Sequence, residues 1–323
     1  MLEKRSKHIE ELAKSEPAVA RQFLASEEER LLSIGEARDP LCEELHQPIR
    51  GLVHKYANRV LCLLTAECAS YCRFCTRRRM VSDVEQGRMT EDDIERWVGY
   101  ISSRPEVKEV IISGGDPLVV SEDLFSFAIK KLSSPETVKV LRVGTRVPVS
   151  DPALLTESKL ESIASAVQPV YVGIHFEHPA EITPETVSAC ERLRKVGAIL
   201  YSQTVFLAGV NDDYDVLYEL FSRLIEIGVR PYYLYRCDPV EGAGHFRVDF
   251  EKEREIATKL RANLSGLACP TYVIDSPNGN GKIPVPLDFW GVDYSRYRDF
   301  QGDEHEVEPD VLANCRFAGI HSL

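Results

Sequence analysis

Short apolar runs rich in β-branched residues alternate with amphipathic helical patterns along most of the chain. These runs predict seven strands, at residues 59–65, 108–113, 138–144, 169–176, 200–207, 229–235 and 271–275. Between the second and sixth strands the spacing is about thirty residues, the length of one strand-and-helix unit. Thr183 and Pro184 supply a cap and a first-turn proline for one helix, and Gly197 marks its end. The pattern predicts an α/β fold of parallel strands joined by right-handed crossovers.

Polar residues capable of chemistry follow almost every predicted strand. In chain order they are Cys68, Cys72 and Cys75, then Gly114, Gly115 and Asp116, then Thr145, Arg146, His175, His178, Gln203, Asp238, Asp275 and Lys282. In a βα barrel such groups converge on one mouth, whereas an open doubly wound sheet gathers them at a single switch point. We therefore expect a partial or full (β/α) barrel.

The chain divides into three parts by pattern. Residues 1–50 are mostly polar, with apolar positions at helical spacing, which predicts a helical N-terminal extension. Residues 51–290 hold the strand-and-helix repeat and form the predicted barrel, and residues 291–323 form a short C-terminal tail. A chain of 323 residues is long enough to bury a sizeable core in one such barrel.

Composition and charge indicate the cellular compartment of the protein and exclude some classes of partner. The net charge of −12 argues against a nucleic-acid partner, because phosphate binding needs clustered lysine and arginine. No apolar run reaches the ~20 residues of a membrane span, and the start of the chain lacks an apolar signal core. Nine cysteines, three of them close together, do not suit a secreted disulfide framework. We expect a cytoplasmic protein with no membrane partner.

Three cysteines directly after the first predicted strand form the most informative motif. Cys68, Cys72 and Cys75 have the spacing C-x3-C-x2-C. A structural zinc site needs four ligands, usually from two cysteine pairs, and no second pair is present in the sequence. Three thiolates on an iron-sulfur cluster leave one iron free for a further ligand. The spacing favours a cluster over a structural zinc site, and an iron-sulfur or zinc scaffold stays open as the non-enzymatic alternative.

Several segments carry a resemblance that extends from about residue 50 to residue 290. They are residues 71–79 (YCRFCTRRR), 112–118 (ISGGDPL), 175–179 (HFEHP), 203–211 (QTVFLAGVN), 230–235 (RPYYLY) and 242–247 (GAGHFR). In this order they strongly resemble the lysine 2,3-aminomutase family of the radical S-adenosylmethionine superfamily. The resemblance implies a partial or full barrel of the radical S-adenosylmethionine type and a pyridoxal 5'-phosphate site.

The resemblance also implies residue roles. It assigns a 4Fe-4S cluster to Cys68, Cys72 and Cys75, and S-adenosylmethionine to Gly114, Gly115, Asp116, His175 and Gln203. It makes Lys282 the lysine that forms a Schiff base with pyridoxal 5'-phosphate, with Lys55 and Arg59 binding the phosphate, although the family often has arginine at the first of these positions. It assigns the substrate carboxylate to Arg77 and a cationic substrate side chain to Asp238 and Asp275, while Arg78 and Arg79 are left as ordinary surface cations.

The implied activity is an isomerase reaction that moves the α-amino group of L-lysine to the β-carbon and gives β-lysine. Alternatives within the family are another cationic substrate, such as arginine, ornithine or a modified lysine, and a lysine mutase that serves elongation factor P modification. The implied partners are an electron donor such as flavodoxin or ferredoxin and, in a homo-oligomer, further copies of the chain. Two features depart from the family: Asn278 and Asn280 replace usual glycines, and a short tail with Cys315 replaces a longer segment that binds zinc and joins subunits.

Overall fold

Nine strands form one sheet in which neighbours along the chain are neighbours in space. The computed structural model of the protein describes residues 2–81, 87–276, 281–291, 295–299 and 302–306. The strands are β1 (Leu52–Tyr56), β2 (Arg59–Thr65), β3 (Glu109–Gly114), β4 (Val140–Thr145), β5 (Val170–His175), β6 (Ile199–Val205), β7 (Arg230–Tyr235), β8 (Thr271–Asp275) and β9 (Lys282–Pro284). The strands from β2 to β8 run parallel, and β1 and β9 pair antiparallel at the two edges. A separate hairpin holds β10 (Arg296–Arg298) and β11 (Glu304–Glu306).

Helices precede the sheet and connect most of its parallel strands. They are α1 (Lys7–Ser15), α2 (Pro17–Phe23), α3 (Arg78–Val81), α4 (Glu91–Ser102), α5 (Glu122–Leu132), α6 (Val147–Ser150), α7 (Glu157–Ala164), α8 (Pro184–Lys195), α9 (Tyr214–Glu226) and α10 (Phe250–Asn263). The predicted start of α8 is confirmed, because the side chain of Thr183 accepts a hydrogen bond from the Thr186 amide. Gly197 follows this helix with a φ of 86°. None of the described helices is both long and apolar enough to cross a membrane.

The sheet curves around an interior cavity. Alternate strand residues face opposite sides, so in β3 Ile112 is buried against the helices while Ser113 lines the cavity. The edge strands β1 and β9 contribute Lys55 and Lys282 to the same cavity, and therefore the two ends of the sheet approach each other. Among the described residues these two edge strands are not hydrogen-bonded to one another. The α/β class and the partial (β/α) barrel are confirmed.

All seven predicted strands are present, with bounds within two residues of those expected. The two edge strands were missed. The sequence of β1 mixes apolar and charged residues over only five positions, and β9 consists of three exposed residues. Neither presents the buried apolar run that indicates a strand in a parallel sheet.

The N-terminal extension lies over the cysteine loop. It is helical in α1, α2 and two short 3-10 turns, but residues 31–43 have irregular backbone, so the prediction of a helical extension is right only in part. The amides of Tyr71 and Arg73 donate to the carbonyl oxygens of Lys4 (2.9 Å) and Gln22 (2.8 Å). The extension is thereby fastened to the loop that carries the thiols.

Candidate active site

One cavity of about 410 Å³ lies within the curve of the sheet. Every residue assigned a site role in the sequence lines it: Cys68, Cys72, Cys75, Gly114, Gly115, Asp116, His175, Gln203, Lys55, Arg59, Lys282, Arg77, Asp238 and Asp275. They come from eight strands or the loops that follow them. The fold therefore brings together residues that are up to 227 positions apart in sequence, the separation of Lys55 and Lys282.

The three thiols occupy one end of the cavity. Burial raises the pKa of Cys68 and of Cys72, and raises that of Cys75 to about 11. The Arg77 amide donates to the sulfur of Cys75 at 3.4 Å. Among the described residues, no three His, Cys, Asp or Glu side chains are arranged to hold a single metal ion. Since the cysteines of a cluster bind different iron atoms, three converging, desolvated thiols fit an iron-sulfur cluster.

The Gly-Gly-Asp turn after β3 is shaped by the chain that enters the cysteine loop. A Cβ on Gly114, whose φ is 131°, would lie 2.2 Å from the carbonyl oxygen of Thr65. A Cβ on Gly115 would lie 2.2 Å from that of Glu67. The glycines thus allow two backbone segments to touch, and the approach of a cofactor to this turn stays a prediction.

Asp116 ties the turn after β3 to the turn after β4. Its carboxylate accepts hydrogen bonds from the Thr145 hydroxyl (2.8 Å) and from the amides of Arg146 (2.6 Å) and Val147 (3.1 Å). Burial raises its pKa despite these donors. The carboxylate already accepts these hydrogen bonds, so this segment would have to bind S-adenosylmethionine through its backbone groups. That binding stays a prediction.

His175 and Gln203 are paired neighbours at the ends of β5 and β6. Nδ1 of His175 lies 3.2 Å from Oε1 of Glu177, whose pKa is raised by burial. The amide nitrogen of Gln203 donates to the hydroxyl of Tyr235 at 2.8 Å. Within the described chain, Nε2 of His175 has no hydrogen-bond partner. Both side chains therefore reach the cavity with polar atoms held in a fixed orientation.

Another part of the cavity lining carries a lysine and two aspartates. Nζ of Lys282 lies 2.7 Å from each carboxylate oxygen of Asp275 and 4.8 Å from the ring centre of Tyr235. The carboxylate of Asp238 has no hydrogen-bond donor among the described residues. Burial, followed by the negative charge of Asp275, raises its pKa to about 7. A carboxylate placed in this way favours the arrival of a cation.

Two further cations stand at the β1 and β2 edge. Nζ of Lys55 donates to the carbonyl oxygen of Leu41 at 2.9 Å, and burial lowers its pKa. The guanidinium of Arg59 lies over the ring of Tyr56 at 4.1 Å. With Lys282 close enough to affect the pKa of Lys55, these groups suit a phosphorylated aldehyde, which needs cations for its phosphate and an amine for its carbonyl. Asn278 and Asn280 lie outside the described residues, as does Cys315.

Arg77 is engaged by an acid from the N-terminal extension. Its Nε and Nη2 donate to the carboxylate of Glu43 at 3.0 and 2.7 Å, and its Nη1 donates to the carbonyl oxygen of Gly114 at 3.1 Å. Although burial opposes ionisation, the Arg77 guanidinium holds the pKa of Glu43 below its usual range. The assignment of Arg77 to the substrate carboxylate stays a prediction, and Nη2 retains a second proton for such a contact.

The other two arginines of the triplet are not surface cations, so that part of the interpretation was wrong. Their side chains are 10% (Arg78) and 7% (Arg79) exposed. Arg78 pairs with Glu29 at 2.6 Å, and Arg79 pairs with Asp39 at 3.1 Å. Both acids belong to the N-terminal extension, whose pattern gave no hint that it would neutralise the triplet.

Sequence reasoning also missed residues that hold the assigned ones in place. Glu43 could not be connected to Arg77 across 34 positions without the structure. Tyr235 was detectable, because Tyr233 and Tyr235 alternate along β7 on the face that lines the cavity. Arg146 was noted only as a residue that follows a strand.

Comparisons with known proteins give the relatives of the chain. Residues 62–221 match the Radical SAM superfamily. The L-lysine 2,3-aminomutase of Methanococcus maripaludis is 38% identical over 92% of this chain and 69% of its own length. The glutamate 2,3-aminomutase of Clostridioides difficile is 34% identical over 86% of this chain and 66% of its own length.

The chain covers 52% of the length of the L-lysine 2,3-aminomutase of Bacillus subtilis and 81% of the length of the one from Escherichia coli. The crystal structure of a radical SAM methyltransferase from Sphaerobacter thermophilus superposes with a TM-score of 0.51 at 17% identity, covering 71% of each chain, and this likeness concerns the fold alone. The identity and coverage shared with the Methanococcus relative place the sequence within one family. The chain belongs to the lysine 2,3-aminomutase family of the radical S-adenosylmethionine superfamily.

Proposed function

We propose that the protein is a pyridoxal-phosphate-dependent 2,3-aminomutase that converts L-lysine to β-lysine. The observation that carries the proposal is one cavity lined both by the three thiols and by Lys282, Asp275 and Asp238. When bound, the cluster with S-adenosylmethionine supplies a hydrogen-abstracting radical, and pyridoxal phosphate supplies the carbonyl carbon that retains the migrating nitrogen. The chain's own residues bind, orient and shield the substrate.

We infer that the substrate has a cationic side chain, because Asp275 needs a new cationic partner when Lys282 leaves it. This carboxylate is paired with Lys282, whose amine must leave it to react with an aldehyde. Departure of Lys282 leaves two neighbouring buried carboxylates, which is unfavourable unless another cation replaces the lysine. A substrate ammonium group provides that cation, and its arrival also favours the ionised form of Asp238.

The same charges disfavour glutamate. Its anionic side chain would stand beside Asp238 and Asp275 and add a third negative charge to a desolvated region. Arginine, ornithine and a modified lysine carry the required cation and are the alternatives that the charge pattern supports. A lysine mutase that serves elongation factor P modification is the same chemistry in a different pathway. Reduced flavodoxin or ferredoxin is the class of electron donor that we propose.

The test is an anaerobic reconstitution with iron, sulfide, pyridoxal phosphate, S-adenosylmethionine and a chemical reductant. L-lysine, L-arginine, L-ornithine and L-glutamate are incubated separately, and β-amino acid products are identified by mass spectrometry. We expect β-lysine as the main product and no product from glutamate. Turnover of glutamate in preference to lysine would refute the assignment of the substrate.

Comparing the wild type with one variant separates an enzyme from a metal scaffold. Lys282→Ala is expected to lose both product and the absorbance of protein-bound pyridoxal phosphate, with full iron content. A protein that holds iron but never acquires that absorbance, in the wild type as in the variant, fits the iron-sulfur or zinc scaffold instead.

A further inference from the structure

Arg146 is a buried cation that lines the cavity beside the thiols. It directly follows β4 and is 8% exposed. Its Nη1 lies 2.8 Å from the sulfur of Cys72. Its guanidinium packs over the rings of Phe23 at 4.7 Å and Phe74 at 5.5 Å. This arrangement puts a permanent positive charge against one of the three thiols.

Two side chains from separate elements restrain this guanidinium. Nη2 donates to Oε1 of Glu181 at 3.1 Å and to the side-chain oxygen of Gln22 in α2. The backbone amide of Arg146 donates to Asp116 at 2.6 Å. Gln22 in turn donates to Glu181 at 2.6 Å, which links the N-terminal extension to the same network. Because these bonds restrain the side chain, its donors have a defined direction.

One donor of Arg146 has no partner. Its Nε is buried and makes no hydrogen bond within the described part of the chain. An unpaired buried N–H is costly, and such groups are typical of donors that serve a bound species. The sulfur of Cys72 and the free Nε belong to one guanidinium at the edge of the cavity. The two observations together point to an anionic group at this place.

We propose that Arg146 tunes the reduction potential of the cluster and positions its Cys72 ligand. Reduction adds one negative charge to a cluster in a low-dielectric site, and a nearby cation that donates to a ligand sulfur stabilises the reduced form most. Arg146 therefore makes the cluster easier to reduce. The inference rests on the cluster site of the proposed function and adds a residue that does not itself bind the metal.

The test is a potentiometric titration of the reconstituted protein, followed by electron paramagnetic resonance of the reduced cluster. Arg146→Gln removes the charge, and Arg146→Lys keeps the charge but cannot reproduce the fork that contacts Cys72 and Glu181 together. Arg142→Gln is the matched control, because Arg142 is a cavity-lining arginine on β4 that pairs with Glu109 and Tyr201 instead. Iron and sulfide are assayed in each sample.

We expect Arg146→Gln to lower the equilibrium constant for reduction of the cluster at least tenfold. For a one-electron couple this is a shift of the reduction potential by about 59 mV or more in the negative direction. Arg146→Lys should shift the potential in the same direction by less, and Arg142→Gln should stay within twofold of the wild type. A fully loaded Arg146→Gln protein with the wild-type potential would overturn the inference.

If Arg146→Gln takes up no iron, the test relies on Arg146→Lys. A negative shift of the cluster's reduction potential in that variant supports the inference, and an unchanged reduction potential refutes it. A wild-type protein that forms no cluster under these conditions contradicts the proposed function itself. Failure of the tuning role is therefore distinguishable from failure of the function.

Discussion

Replacing Asp238 by asparagine should stabilise the substrate-free protein while weakening its affinity for lysine. Burial and the charge of Asp275 raise the pKa of Asp238 from 3.8 to about 7. Since one pKa unit is worth 1.36 kcal/mol, holding this carboxylate ionised costs the fold up to about 4 kcal/mol. The protonated form is favoured by folding, so its contribution is fully present below pH ~4 and is lost as the pH rises through about 7.

The stability side is measured by urea unfolding of the substrate-free, cofactor-free protein at pH 5 and pH 8. Asp238→Asn cannot ionise, and we expect it to be more stable than the wild type at pH 8, by up to about 4 kcal/mol, with a smaller difference at pH 5. Asp303→Asn, at an exposed position, is the control and should change stability by less than about 0.5 kcal/mol.

The binding side is measured by calorimetry with L-lysine on protein loaded with pyridoxal phosphate, without S-adenosylmethionine so that no turnover occurs. A group with a pKa of about 7 is about one tenth ionised at pH 6 and about nine tenths at pH 8, so wild-type affinity should rise about tenfold over that range. Asp238→Asn should show no such rise and should bind about 10- to 150-fold more weakly at pH 8, the equivalent of about 1.5–3 kcal/mol. Wild-type affinity that is flat between pH 6 and pH 8, or a variant less stable than the wild type at pH 8, would refute the reasoning.

Three further predictions concern other parts of the site. Glu43→Gln should destabilise the protein by about 3 kcal/mol, because it leaves the charge of the buried Arg77 unpaired. The control variant Glu44→Gln should cost less than about 1 kcal/mol, since Glu44 is 68% exposed. Equal urea midpoints for the two variants would contradict the pairing of Glu43 with Arg77. Gly115→Ala should cost about 1–3 kcal/mol, as its new Cβ would press on a backbone carbonyl at 2.2 Å, and a change below about 0.5 kcal/mol would show that this turn can yield. Lys282→Arg should retain its charge pairing with the adjacent aspartate yet fail to acquire the absorbance of protein-bound pyridoxal phosphate, and appearance of that absorbance would exclude Lys282 as the reactive amine.

The parallel strands were predictable because their helix-facing positions are buried and carry apolar side chains, which gives each strand a short apolar run. Val110 and Ile112 in β3, and Leu141 and Val143 in β4, are fully buried members of such runs. The edge strand β9 has no such constraint, since its residues are exposed. Its position depends instead on pairing with β8, where Lys282 stands opposite Asp275. That pairing depends on a contact between two strands, and the pattern of apolar and polar residues within β9 does not predict it.

The site was predictable as a set of residues but not as a set of contacts. Motif order named the groups that line the cavity, yet the partners of the arginine triplet come from an extension with no recognisable motif. Arg77 illustrates the difference: its type and place suggested a carboxylate ligand, and the structure shows a carboxylate already present, that of Glu43. The glycines at 114 and 115 show the same limit, because the groups they approach belong to the preceding strand and loop.

The central claim is that this chain moves the α-nitrogen of lysine to the neighbouring carbon within one molecule. It is tested most directly by incubating the reconstituted protein with L-lysine labelled with ¹⁵N at the α-position and locating the label by NMR and mass spectrometry. The account predicts β-lysine that carries the label on its β-nitrogen, with no loss of label to solvent ammonia. Cleavage of S-adenosylmethionine to 5'-deoxyadenosine without any labelled β-lysine would contradict it.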